Sequence, residues 1–181
     1  MKKMTKCKIS KSQKIIDTIQ PIEALKILKL LSENNRTLAK QIEKLFLEQV
    51  QKIDMEDIAA DVLAELDFID VEDLWERSGS TRDGYIEPGE EAWGMLKEAI
   101  DPYIGKMKRY HSLKMFEEEM ACCMGLISAL HQFENESESE FKEWAIDAPS
   151  SIADDVLSTW KESCKDPELR QIIENFIAKL S

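Results

Sequence analysis

The residues with the most chemistry to offer lie between Val71 and Ala99, in the stretch VEDLWERSGSTRDGYIEPGEEAWGMLKEA. Two apolar-periodic segments flank a loop, Ser78 to Ile86, that holds two of the chain's six glycines; Trp75 and Trp93 sit one on each side of it. Counted from Gly79 as first position, Asp83, Gly84, Ile86, Glu87 and Glu90 take the fifth, sixth, eighth, ninth and twelfth places of a calcium-binding helix–loop–helix. A bend glycine, an apolar anchor and a closing carboxylate are the residue types that such a site uses. The first and third places, however, are Gly79 and Thr81, so two principal oxygen donors are missing. Arg82 adds a positive charge, and Pro88 is unusual inside such a loop. The metal-ligating candidates are therefore Asp83, Glu87 and Glu90. The plainer alternative is a tight Asp-Gly turn in which Arg82 and Asp83 fix a hinge and the tryptophans pack beneath it.

The remaining reactive residues form no pattern of comparable length. His111 and His131 have no ligand spacing around them, and a zinc site joining them to Cys122 or Cys123 needs three or four convergent ligands. Cys122 and Cys123 are adjacent in an apolar segment between Met120 and Met124, where they serve as small core residues, or as redox sensors if exposed. The four cysteines show no C-x-x-C spacing, and an adjacent pair is poor geometry for a structural disulfide, so reduced thiols and a cytoplasmic location fit best. Glu117 to Glu119 and the Glu134 to Glu140 alternation read as solvated faces. No Ser-His-Asp order, P-loop or dinucleotide glycine pattern is present, which points away from an enzyme; no cofactor is called for.

What must position these residues is helical. A third of the 181 residues are charged and over two fifths are hydrophobic, with only 6 glycines and 5 prolines, a mix that favours helix and leaves few turns for an all-β fold. The net charge of −12 hides an asymmetry, because six lysines precede the first acid and leave 18 basic against 36 acidic residues beyond them. An acidic body repels phosphate backbones, so broad nucleic-acid binding is not expected of it. Residues 1–14 read as a basic, flexible arm. No apolar h-region and no membrane-length apolar run appear, so neither a signal peptide nor a membrane partner is expected.

Apolar spacings of three and four predict helices over Ile22 to Leu31, Leu38 to Ile53, Ile58 to Leu66 and around Leu74 and Trp75, with Asp54 and Asp70 as caps. A further helix opens at Pro88 and is ended or kinked by Asp101-Pro102; Tyr103 to Tyr110 continues as helix. Ser112 is placed to start the longest helix, running to about Phe133. Phe141 to Ile146 reads as a short helix stopped by Pro149, Ser150 or Ser151 caps the next, and Asp166-Pro167 opens the last. The sum is an all-α chain of about nine helices in antiparallel hairpins, a bundle or a short solenoid-like stack, with no convincing strand and one domain over residues 15–181. One echo, Ile58-Ala59-Ala60-Asp61-Val62-Leu63 against Ile152-Ala153-Asp154-Asp155-Val156-Leu157, agrees at five of six places; a repeated helix pair in a solenoid-like stack is one reading, and chance or simple packing is the preferred one.

The words Val71-Glu72-Asp73-Leu74-Trp75, Arg77-Ser78-Gly79, Arg82-Asp83-Gly84-Tyr85, Glu87-Pro88, Ala92-Trp93, Gly125-Leu126 and Glu138 to Ala145 resemble the helical domain associated with SWIM-type zinc-finger proteins of archaea and bacteria. The resemblance spans about Pro21 to Lys161. It implies a helical, repeat-like module without assigned catalysis. The finger itself needs a Cys-x-Cys followed by a Cys-x-His, which this chain lacks, so zinc does not carry over. The expectation is a non-enzymatic protein-interaction or scaffold module contacting its partner through Trp75, Arg82, Tyr85 and Trp93. That partner is another protein, with a SWIM finger-bearing polypeptide as one candidate. The alternative is a ligand- or calcium-responsive regulator built on residues 79–90.

Overall fold

In a computed structural model, residues 16, 18–50, 53–82 and 84–180 are described; the basic arm, Cys7 and Asp83 lie outside them. Eight α-helices appear among the described residues: α1 Pro21–Asn34, α2 Arg36–Val50, α3 Met55–Asp67, α4 Val71–Arg77, α5 Pro88–Ser112, α6 Phe116–Glu136, α7 Ala148–Ser163 and α8 Pro167–Leu180. A 3-10 helix, Glu140–Trp144, precedes α7, and two three-residue strands, β1 Gly79–Thr81 and β2 Gly84–Ile86, separate α4 from α5. The class is all-α. None of these helices is long and apolar enough to cross a membrane.

The chain divides into two compact units, residues 1–52 and 53–181, where the sequence leads one to expect a single unit from residue 15. The first unit holds 12 of the 24 basic and 5 of the 36 acidic residues; the second holds the other 12 and 31, so the two carry net charges of +7 and −19. In the first, α1 and α2 pack on each other across the single residue Asn35, whose side chain accepts from the Thr37 and Leu38 N–H groups at 3.0 and 3.1 Å.

Short-range signals set several boundaries as expected. Asp54, Asp70 and Asp166 accept from the N–H groups of Glu56, Glu72 and Glu168 at 2.9–3.0 Å, capping α3, α4 and α8. Pro21 and Pro88 stand in first turns, where a missing N–H costs nothing. Other boundaries differ. Pro102 does not end its helix: α5 runs through it for 25 residues and is the longest. The Glu98 carbonyl that loses its donor lies on the exposed side, while Ile100 and Tyr103 anchor the opposite side in the core. Ser112 closes α5 instead of opening α6, its hydroxyl donating back to the Arg109 carbonyl at 2.7 Å, and Lys114 turns the chain at φ 59°. Pro149 stands in the first turn of α7, which begins before the two serines expected to cap it.

The second unit is organised on α6. Cys122, Cys123, Leu126, Ala129, Leu130 and Phe133 are fully buried on one side, and Gly125 to Leu130 are buried in unbroken succession, so the middle of the helix is covered on every side, as an axis enclosed by neighbours requires. Those neighbours are α3, α5, α7 and α8. The two echoed segments both lie on this axis, with Ile58 and Val62 of α3 and Ile152 and Val156 of α7 buried. The shared string thus answers a shared packing demand. At the α3 crossing the helices approach so closely that a Cβ on Gly125 would fall 2.7 Å from Ile58 Cγ2 and 2.9 Å from the Met55 carbonyl oxygen. Gly125→Ala is therefore expected to destabilise the fold by about 1–3 kcal/mol through overpacking, read as a lowered urea midpoint at unchanged m-value.

Candidate functional site

The loop between α4 and α5 folds as a β-hairpin, correcting the expectation of no strand: Gly79 pairs with Ile86, Ser80 with Tyr85 and Thr81 with Gly84. Gly79 follows the end of α4 at φ 91°, a conformation that only glycine adopts without strain. The pairing lays the backbone of residues 79–81 and 84–86 out as two short strands. Glu87 and Glu90 are exposed at the start of α5, and among the described residues no group of three His, Cys, Asp or Glu side chains is arranged to hold a metal ion. Arg82 at the turn and Tyr85 on β2 are exposed.

Of the two tryptophans flanking the hairpin, Trp93 is half-buried and lies beneath the Lys97 ammonium, 5.4 Å from its ring centroid. Trp75 stacks on a different ring. It meets Trp144 of the 3-10 helix edge to face at 4.6 Å, with 49% of Trp75 and 39% of Trp144 still open to solvent. Ile146, two residues on, is 68% exposed. The end of α4 is held to α5 by Arg77, whose guanidinium donates to Glu98 at 2.8 Å and lies 3.8 Å from Glu91. The 3-10 helix sits against the start of α5, the Trp144 carbonyl lying 3.6 Å from where a Cβ on Gly89 would stand. Trp75 and Trp144 thus form one aromatic ridge on an acidic body. Spacing does not reveal the meeting of Trp144 with Trp75, because the two lie 69 residues apart in the sequence.

A second cluster was missed altogether. Glu119, in the first turn of α6, is 4% exposed and is the one buried charged side chain among the described residues. Its carboxylate lies 3.0 and 3.2 Å from His111 Nδ1 and 3.2 Å from Ser163 Oγ, which tie in the ends of α5 and α7. A carboxylate only accepts, so His111 carries its hydrogen on Nδ1 and turns Nε2 away from the pair. Ser163 has one hydroxyl hydrogen, and the Trp160 carbonyl at 2.8 Å is its closer acceptor, so His111 is the principal donor to Glu119. A cavity of about 500 Å³ adjoins the pair, with Phe116 and Pro167 as apolar walls and Lys165 and Asp166 at its rim. Ser163 bonds Glu119 and not His111, so the serine is not activated as a nucleophile and the arrangement is not a hydrolytic triad. In sequence this glutamate belongs to the acidic run Glu117 to Glu119, of which it is the one member that turns inward.

Cys122 and Cys123 are fully buried, which removes the exposure that a redox-sensing role requires. Burial pushes the Cys122 thiol up from 9.0 to about 11 and raises Cys123 further. Thiols raised in the folded state stabilise it fully below the unfolded value near 9 and lose that contribution as pH climbs toward 11. Unfolding free energy is therefore expected to fall above pH 9 by up to about 1.4 kcal/mol per pH unit for each thiol, and Cys122→Ala to flatten that slope in urea titrations. Glu119→Ala is expected to cost about 1.5–3 kcal/mol in the same assay, by removing a charged acceptor from between three helices. Compared with protein-family models, curated proteins and solved structures, the chain finds no significant match in any of the three.

Proposed function

We propose that this chain is a non-enzymatic protein-interaction module whose second unit captures a basic polypeptide on the Trp75–Trp144 ridge. The observation that carries this reading is the edge-to-face pair itself: two tryptophans from separate elements, in mutual contact and left open at the surface. Tryptophan is the residue type most enriched among the few that dominate binding energy, and a pre-formed pair loses little rotamer freedom on docking. Ile146 extends the apolar surface, and Tyr85 and Arg82 on the neighbouring hairpin supply a phenol and a guanidinium for its polar rim. A net charge of −19 on this unit favours a partner of opposite sign and speeds its encounter. A finger-bearing polypeptide of the SWIM type is the first candidate to assay. The calcium-ordered alternative rests, among the described residues, on Glu87 and Glu90 alone, two carboxylates where calcium takes six to eight oxygens.

The test is a photo-reactive side chain in place of Ile146 in the full chain, illuminated in the source cell. A single cross-linked polypeptide is expected, and its binding to purified chain should weaken about 30-fold or more in Trp75→Ala or Trp144→Ala while the far-UV circular dichroism stays unchanged. No cross-link at Ile146, or a partner indifferent to both substitutions, would overturn the proposal.

A further inference from the structure

The α1–α2 hairpin carries an unfinished core. None of the side chains of α1 is buried, and none of the described side chains of α2 is either. This is not for want of apolar residues. At about 100° per residue, Ala24, Leu25, Ile27, Leu28 and Leu31 share one side of α1, with Lys26, Lys29 and Glu33 on the other. Leu38, Ile42, Leu45 and Phe46 form a corresponding stripe on α2. Packing two amphipathic helices together closes one seam and leaves the outer parts of both stripes in water: Leu25 is 53%, Leu28 44%, Leu31 44% and Leu45 61% exposed. A hairpin of 30 residues, below about 40, does not hold a core by itself without a disulfide, a metal or association.

From this geometry we infer that the α1–α2 hairpin is completed by a second copy of the chain, the two hairpins forming a four-helix bundle about a two-fold axis. Three features favour a second copy as the occupant. The helices have nearly equal lengths, 14 and 15 residues, joined by one residue, so two hairpins lie along each other in register over their whole length. Their charges nearly cancel, with Lys26, Lys29, Arg36, Lys40 and Lys44 against Glu23, Glu33, Glu43 and Glu48, so two such surfaces meet without repulsion. The second unit, at −19, repels a copy of itself. Finally, the open parts of Leu25, Ile27, Leu28, Leu31 and Leu45 come to on the order of 400 Å² per hairpin, close to the nonpolar share of the ~800 Å² each partner gives to a standard interface. The contact is isologous, each α1 stripe facing the same stripes of its partner.

Sedimentation velocity and light scattering on the full chain, from micromolar to sub-millimolar concentration, test this. The expected species is twice the 20.9 kDa chain. Leu28→Glu with Leu31→Glu should raise the dissociation midpoint on the order of 100-fold or more, because a two-fold contact meets each substitution twice. Lys29→Ala, on the opposite side of α1, should leave the dimer intact. All four tryptophans lie in the second unit, so an unchanged fluorescence spectrum certifies that unit's fold in every variant, whatever happens to the hairpin. A single-chain mass at every concentration overturns the inference, as does a dimer that survives both glutamates.

Discussion

The second unit depends on the enclosure of α6. The middle of this helix, Met120 to Leu130, is apolar on nearly every side and has no stable place except inside, and once it is inside, the other helices must supply a wall. That one constraint selects the buried stripes of α3, α5, α7 and α8 and accounts for the repeated Ile-Ala-x-Asp-Val-Leu string on two of them. It also sets the limit on side-chain volume at Gly125, where α3 crosses with no room for a methyl group. The one charge admitted to this interior, Glu119, enters at the first turn of the axis and is met there by His111. An acceptor at that end also suits the helix, whose first N–H groups carry partial positive charge.

What the core does not absorb defines the surfaces. On the second unit, the short 3-10 helix places Trp144 against Trp75 and leaves both open, so the ridge is a by-product of how the segment after α6 returns to α5. On the first unit, the leftover is the outer half of two amphipathic stripes. The two differ in kind. The ridge is small, aromatic and set in an acidic surround, suited to a partner with a few anchors and positive charge. The hairpin stripe is long, aliphatic and nearly neutral, suited to extended helix-to-helix packing.

Local rules were enough for the all-α class, the caps at Asp54, Asp70 and Asp166, the first-turn prolines and most helix spans, because each depends on residues within one or two turns. The same rules misplaced features whose outcome is decided elsewhere. Pro102 looks like a terminator, yet burial of Ile100 and Tyr103 on one side of α5 outweighs one lost hydrogen bond on the other. Gly79 and Gly84 read as turn residues, and pairing across them made strands of a segment too short to show alternation.

By itself, the sequence determined the helical content, the acidic body with its basic beginning, and the candidacy of Trp75 and Tyr85 as surface residues, since composition and short periodicities are local properties. Tertiary structure alone decided that Trp75 meets Trp144 and not Trp93, that Glu119 is the inward member of its acidic run, and that Cys122 and Cys123 are sealed. Each of these outcomes turns on which face of a helix a neighbour covers. That neighbour comes from tens of residues away, placed by the packing of the whole unit around α6.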